Sequence, residues 1–490
     1  MSEAAARLTE AAPRSGFSED WAAVGLGLFI FVLSLGALFG ADLLGWSATP
    51  EVWISLDAAI KPVSSSGISP LLSLAATIAF VLIVMAIGAR MLGAEVRRFV
   101  VAFAALLAIA YVCWIAGHYA YIAATTDKLG KFGISWSMSL TGEAGYIVAL
   151  IVGLIIANFF KPLAEWFSPA LKSEWYIKTA VVIMGAALGV KSAEVLGLAQ
   201  HVILRGVCAV IEAYLVYWAI VYFIARRYFG FAREWAVPLA SGISICGVSA
   251  AIATGAAIRA RPIVAITVSS LVVIFAVIEL LLLPFLARQF LYEEPMVAGA
   301  WMGLAVKTDG AALASGAIAE SLIRSKALVE QGINYAEGWI LMATTTTKVF
   351  IDVFIGVWAF ILAIIWAAKI EPRSSDRPRA VEIWDRFPKF VIGYILTFLL
   401  MLLLVRVSPD LADEAKKATA ESNVYRQLFF VLTFLSIGMV TDFRRLWQEG
   451  MGRLAAVYAL SLFGFIIWIG LAISWLFFSG ITPPLAEPTP

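Results

Sequence analysis

Charge is scarce in this 490-residue sequence: Asp, Glu, Lys and Arg make up 14% of it, against 62% hydrophobic residues. A soluble globular chain carries about 25% charge, so that class is excluded and a polytopic membrane protein is left. Histidine is almost absent, with His118 and His201 far apart in sequence. The three cysteines, Cys113, Cys208 and Cys246, sit in apolar segments without metal-ligand spacing. No metal site, disulfide framework or cofactor is therefore expected. No Gly-rich stretch follows a strand and no Walker Gly-Lys-Ser/Thr signature occurs, which disfavours an ATP-driven pump. A net charge of +2 says nothing about nucleic acid, because in a membrane chain the distribution of Lys and Arg among the loops is what matters. Residues 1–20 mix both signs of charge before the first apolar run and read as a cytoplasmic tail, not a signal peptide.

Apolar runs are abundant. A span needs ~20 residues to cross about 30 Å of hydrocarbon. By that measure spans fall at about Trp21 to Trp46, Pro70 to Leu92, Phe99 to Ala123, Gly142 to Phe160, a short Thr179 to Val190, and Val207 to Ala225. Further spans fall at Ile263 to Leu286, Trp339 to Ala367, Phe390 to Val405, Leu428 to Val440 and Leu454 to Phe478. Trp46, Trp136, Trp175, Trp235, Trp301, Trp339 and Trp384 fall near span ends, where indoles anchor at headgroups. Arginines at 90–98 and 226–233, the basic loop 369–389 and the loop Asp442 to Arg453 are placed in the cytoplasm by the positive-inside rule.

Two apolar regions are built from small residues. The first, Pro238 to Thr254, holds Ser241, Gly242, Ser244, Cys246, Gly247 and Ser249; the second, Met296 to Ala319, holds Gly303, Lys307, Thr308, Asp309, Gly310 and Gly316. Such stretches serve either as helix-packing seams or as helices broken within the membrane. Between the cytoplasmic arginines at 226–233 and the loop at 369–389 the chain must cross an even number of times. Either both regions span, giving about thirteen crossings, or both are re-entrant hairpins, giving about eleven. The hairpin plan keeps Arg259 and Arg261 cytoplasmic and is mildly favoured. Val182 to Lys191 resembles Leu435 to Asp442, each within a triplet of spans, and the triplets run in opposite senses. That is the pattern of an inverted repeat. The expected fold is thus an all-α polytopic membrane protein of 11–13 segments. Residues 21–137 would be N-terminal extra segments, 138–290 a first transporter half and 291–490 a second.

Ionisable groups within spans cost roughly 2.5–3.5 kcal/mol each even on lenient scales, so each needs a reason. Lys307 and Asp309 sit where glycines would let the backbone open, and a cation beside exposed amides suits an anion. Lys348 and Asp352 lie one helical turn apart and read equally as a self-neutralising pair or as a functional one. Glu279, in mid-span, is a candidate proton carrier; Glu212 reads as a packing-face carboxylate kept protonated.

The run Ser244-Ile-Cys246-Gly247-Val-Ser249-Ala250 resembles the Ile-Cys-Gly-x-Ser-Ala signature of the YeiH-type sulfate exporter family of bacterial inner-membrane proteins. Ala149 to Asn158, Lys178 to Gly189, Gly299-Ala-Trp301-Met-Gly303 and Lys348 are similar to further family segments, over about residues 140 to 480. Where the family pattern has His-Asp in the second Gly-rich region, this chain has Lys307-Thr308, and Asp352 stands near the place of a family Arg. The resemblance implies a secondary transporter, not an enzyme, in the inner membrane; the charge placement along the chain puts the N-terminus in the cytoplasm and the C-terminus in the periplasm. It would carry a small anion such as sulfate or an organosulfonate by alternating access. The expected substrate contacts are Ser244, Cys246, Gly247, Ser249, Lys307, Thr308, Gly310 and Lys348. Asp309, Asp352 and Glu279 would couple a proton or sodium ion. A cation/proton antiporter with structural lysines is the alternative. The expected partners are the anion, the coupling ion, the bilayer and a second copy of the chain; nucleic acid is not expected.

Overall fold

The computed structural model describes residues 18–64, 67–124, 128–138, 142, 144–194, 196–370, 384, 388–444 and 451–486. Most of the 1–20 tail and of the 369–389 loop lies outside these residues. A two-stranded antiparallel ribbon, β1 (Ala48–Pro50) and β2 (Ile60–Pro62), is the sheet among the described residues.

Everything else is organised by helices. They are α1 (Glu19–Ser34), α2 (Pro70–Met91), α3 (Val96–Gly117), α4 (Ala144–Phe159), α5 (Lys161–Phe167), α6 (Ser173–Glu194) and α7 (Gly197–Tyr228). There follow α8 (Arg233–Ser244), α9 (Val248–Ala257), α10 (Pro262–Phe290), α11 (Pro295–Ala305) and α12 (Asp309–Gln331). The last are α13 (Trp339–Ile370), α14 (Phe390–Val407), α15 (Ala412–Val440) and α16 (Gly452–Phe478). Ten of these are long and apolar enough to cross a membrane; α4, bent 118° from the segment that begins with α5, brings the number to as many as eleven. This is a multi-pass, all-α membrane protein.

Contacts between helix ends sort the chain into two faces. On one, Glu19 pairs with Lys172, and Asp20 pairs with Lys178 and accepts from the Lys389 amide. On the same face Asn158 donates to Thr441 O, Lys161 pairs with Asp442, and Arg453 donates to Phe229 O. On the other, Trp53 N donates to His118 O, Lys191 Nζ to Glu337 O, and Ala336 N to Pro484 O. The crossings alternate between these faces without exception if α8–α9 and α11–α12 return to the face they left.

Two spans are longer than their hydropathy suggests. The short run Thr179 to Val190 is the core of the 22-residue α6, and Leu428 to Val440 is the end of the 29-residue α15. Their polar turns, with Lys178, Lys191, Glu421 and Arg426, face protein and cavities instead of lipid, and therefore do not end the helix. Buried tryptophans correct another expectation. Trp175, Trp301 and Trp339 are 1%, 4% and 3% exposed, and Trp301 Nε1 donates to Ile467 O at 2.9 Å. They are core residues, whereas Trp136 and Trp384 are exposed.

The triplet α4, α6, α7 runs opposite to α14, α15, α16, and the two interlock. α4 packs along α15 with Gly153 against Gly438, where a Cβ on either glycine would fall 2.9 Å from the other's Cα. α6 packs along α14 through Gly185 and Gly189, whose added Cβ atoms would meet Tyr394 O at 2.4 Å and Phe398 O at 2.3 Å. Side chains there would force the helices apart. α7 carries two π-helical stretches, Glu212–Tyr217 and Ile224–Tyr228, and α16 carries one, Leu462–Ile466. α8 packs on α7 as α11 packs on α16. In chain order the second unit is permuted: its hairpin and long helix precede the triplet instead of following it.

Candidate functional site

Both small-residue regions fold as hairpins. In the first, α8 and α9 lie antiparallel, with a Cβ on Gly242 3.4 Å from that of Ala251 and one on Gly255 3.7 Å from Pro238 Cγ. At its base, Glu234 accepts from the backbone amide and the Nε of Arg261, at 2.8 and 2.9 Å. The turn is Ile245-Cys246-Gly247, and Gly247 has φ +70°. An L side chain there would be strained, and its Cβ would press on Val272 Cγ1 at 2.8 Å and Thr308 Cγ2 at 3.1 Å.

The second hairpin, α11–α12, turns at Val306-Lys307-Thr308 and enters from the opposite face. Gln331 near its far end donates to Glu293 before its start, at 3.4 Å. The Thr308 side chain caps α12 by accepting from Ala311 N at 3.3 Å. Gly303 and Gly316 do not open the backbone: they make room for α13, since Cβ atoms on them would lie 2.0 and 2.5 Å from the hydroxyls of Thr347 and Thr344. Gly310 packs against Thr433 and Ile437.

The two turns meet. Each arriving half-helix, α8 and α11, ends with carbonyls that have no intrahelical partner. Lys348 of α13 donates to the carbonyl that caps α8 and to one in the turn after α11, with Nζ 3.1 Å from Ile245 O and 3.0 Å from Lys307 O. Its third neighbour is Asp309 Oδ1 at 3.5 Å, in the first turn of α12. Asp352 follows one turn along α13. Ligand atoms of Cys246, Asp309 and Asp352 all lie within 4.8 Å of one another. These three could hold a small cation, in competition with the Lys348 ammonium. All four side chains are buried.

The other expected residues distribute as follows. Ser249 lines a cavity with Asp309 and Asp352, while Ser244 is buried with its hydroxyl unpartnered among the described residues. Thr308 and Gly310 border a small void beside Glu174 and Thr433. Lys307 turns its side chain away from this centre. It donates to Leu304 O and lies 4.3 Å from the Tyr217 ring centroid. Glu279 is also on that side, accepting from Lys307 N at 3.0 Å and Tyr458 OH at 3.1 Å.

A cavity of about 330 Å³ leads from Asp20, Lys178 and Pro388 on the first face to Ser249, Asp309 and Asp352. A second, of about 500 Å³, opens on the other face among Lys191, Glu320, Arg324, Glu337, Lys416 and Arg426. Lys178, Val181, Met184, Leu188 and Lys191 form one stripe of α6, and Asp309, Leu313, Ala317, Glu320 and Arg324 one stripe of α12. Each stripe begins in one cavity and ends in the other, with buried Val181 and Leu313 between. Lys178, Asp20 and the charged lining of the larger cavity are absent from the sequence-derived set. Regular spacing in the charged turns of α15 (Thr419, Asn423, Arg426) was the available signal for the latter.

The segments with family likeness divide by role. Ala149, Gly153 and Asn158 form the seam with α15, and Asn158 ties α4 to Thr441 O at 3.0 Å and to the Phe443 amide at 3.2 Å. Cys246, Gly247 and Lys348 form the junction of the turns. A family model described as "Conserved hypothetical protein 698" matches residues 133–457. UPF0324 membrane protein NE0724 of Nitrosomonas europaea is 43% identical over 474 residues, 96% of this chain and 97% of that one. A UPF0324 membrane protein of Nitratidesulfovibrio vulgaris is 27% identical over 438 residues, 87% of this chain and 66% of its own. UPF0324 membrane protein RB9488 of Rhodopirellula baltica is 31% identical over 315 residues, 62% and 52%. No solved structure matches. With a family model covering most of the chain and a full-length relative at 43% identity, this chain belongs to the UPF0324 family of membrane proteins, in keeping with its YeiH-type resemblance.

Proposed function

We propose that the protein is a secondary transporter that carries a small anion, of the sulfate or sulfonate class, by alternating access with proton coupling at Asp309, Lys348 and Asp352. The supporting observation is the junction itself: two hairpins from opposite faces end on one buried lysine, which has two carboxylates beside it and a cavity leading to those carboxylates from the first face. Such broken elements at mid-depth are where transporters bind their cargo. Charge arithmetic supplies the coupling. One ammonium with two carboxylates sums to −1, and the lysine is occupied by Asp309. Two protons bring the sum to +1 and free Lys348 to face an anion, so protons and anion bind together. The basic residues of the larger cavity, Lys191, Arg324, Lys416 and Arg426, outnumber Glu320 and Glu337 and favour anions at that entrance. The arginine-rich face is assigned to the cytoplasm of a bacterial inner membrane.

The test is flux into proteoliposomes. Sulfate, sulfite or a sulfonate should move when a pH gradient is imposed, and Asp309→Asn should uncouple flux from that gradient. No movement of any of these anions under any ion gradient sinks the anion reading. The Cys246, Asp309, Asp352 constellation favours a second reading, cation/proton antiport. Its mark is sodium-dependent proton movement that survives Lys307→Ala and vanishes in Asp309→Asn.

A further inference from the structure

We propose that Glu212 is a second proton-binding site, set with Lys307 and Glu279 behind the tip of the α11–α12 hairpin and joined to the Lys348 centre through the Lys307 peptide. The transporter reading bears on what this proton does, not on whether it binds.

Glu212 is fully buried, and neither carboxyl oxygen has a hydrogen-bond partner among the described residues. It opens the first of the two π-helical stretches of α7, a local distortion that recurs at functional positions. Its neighbours are Cys208 and Tyr217 on the same helix and Lys307 on the hairpin tip. Gly470 of α16 leaves the space: a Cβ there would stand 2.6 Å from the Tyr217 hydroxyl and 3.4 Å from Glu212 Oε1. The Tyr217 hydroxyl donates its one hydrogen to Ile466 O at 2.7 Å. Towards Glu212 it can only accept. A neutral carboxyl can donate to that oxygen, whereas a carboxylate would face a lone pair.

Glu279 of α10 has the opposite surroundings. It accepts from two donors, Lys307 N and the Tyr458 hydroxyl of α16, as an ionised carboxylate does. Lys307 and Glu279 thus balance each other, with Lys348 the next cation beyond the peptide. Glu212 is left as the group whose charge is set by a proton from water. All three carboxylate and ammonium groups fully ionised sum to −1; one proton on Glu212 brings the cluster to zero.

The Lys307 residue spans both centres. Its amide is held by Glu279, its carbonyl accepts from Lys348 Nζ at 3.0 Å, and its side chain lies over Tyr217. When Glu212 loses its proton, the Lys307 ammonium gains a competing carboxylate, and the strain falls on the hairpin tip that completes the central site. Coupling between two sites in this form is reciprocal.

The test is pH-difference infrared spectroscopy on the full-length protein in lipid vesicles. We expect a carboxylic-acid band of a dry environment that appears on acidification, is lost in Glu212→Gln and persists in Asp309→Asn. Tyr217→Phe, which removes the acceptor, should shift the same band. A difference spectrum unchanged by Glu212→Gln overturns the proposal, and if that variant does not fold, a band unmoved by Tyr217→Phe overturns it equally. Absence of anion flux in the wild type would sink the transporter reading and leave the infrared outcome to decide this one.

Discussion

A lysine buried among apolar helices is costly unless its protons are taken and its charge is balanced. Lys348 meets both conditions by binding one turn carbonyl of each hairpin and standing beside Asp309. Removing it leaves two carbonyls and a carboxylate without partners, whereas Asp309→Asn keeps a polar group of the same shape and leaves the carbonyl bonds intact. Breaking a buried pair from one side costs about 3–5 kcal/mol. Lys348→Met is therefore expected to lower the thermal unfolding temperature in detergent substantially, and Asp309→Asn much less. Equal shifts would mean that Lys348 does not clasp the turns. The sequence singles out Lys307 and Lys348 alike, because any lysine within a span demands an explanation. What it could not say is that their side chains point to opposite sides of one peptide. That is decided by the turn conformation, in which the Lys307 carbonyl faces Lys348 while its side chain faces Tyr217.

At the scale of elements, the two hairpins are the distinctive parts, and positive charge read along the chain already favoured them over spanning helices. Arg259 and Arg261 belong with the arginines at 226–233, and Glu234 holds Arg261 at the hairpin base. In a background lacking the native cysteines, single cysteines at Arg227 and Arg259 should react with an impermeant maleimide from one side of the membrane. Cysteines at Glu293 and Gln331 should react from the other. Labelling of positions 259 and 331 from the same side would rule out opposed hairpins. Helix lengths were less legible. Hydropathy truncates α6 and α15 because it treats every polar side chain as lipid-averse, and it has no knowledge that Lys191 and Arg426 line a cavity. The glycines of the second region were also misplaced in role. A glycine run reads the same whether the backbone breaks or a neighbouring helix approaches, and at Gly303 and Gly316 the neighbour is α13.

Across the whole molecule, two cavities on opposite faces approach each other along facing stripes of α6 and α12, with Val181 and Leu313 closing the interval. A cysteine at Ser249 should accordingly be reached by small polar thiol reagents from the arginine-rich side and one at Ala317 from the other. Saturating substrate should change both rates in opposite directions if the closure moves between the faces. Rates that are independent of substrate at both positions would point to a static pair of vestibules. Composition, apolar run length and the placing of arginines sufficed to determine an all-α membrane protein and to single out the two small-residue regions, since each of these follows from local chemistry summed along the chain. That both regions break and fold as hairpins was decided by the tertiary structure. Only the tertiary structure decided which buried charges belong together. Asp20, Lys178, Cys246, Asp309, Lys348 and Asp352 come from five separate elements, and a pairing across hundreds of residues is a property of packing, with no counterpart in the local pattern of any one segment.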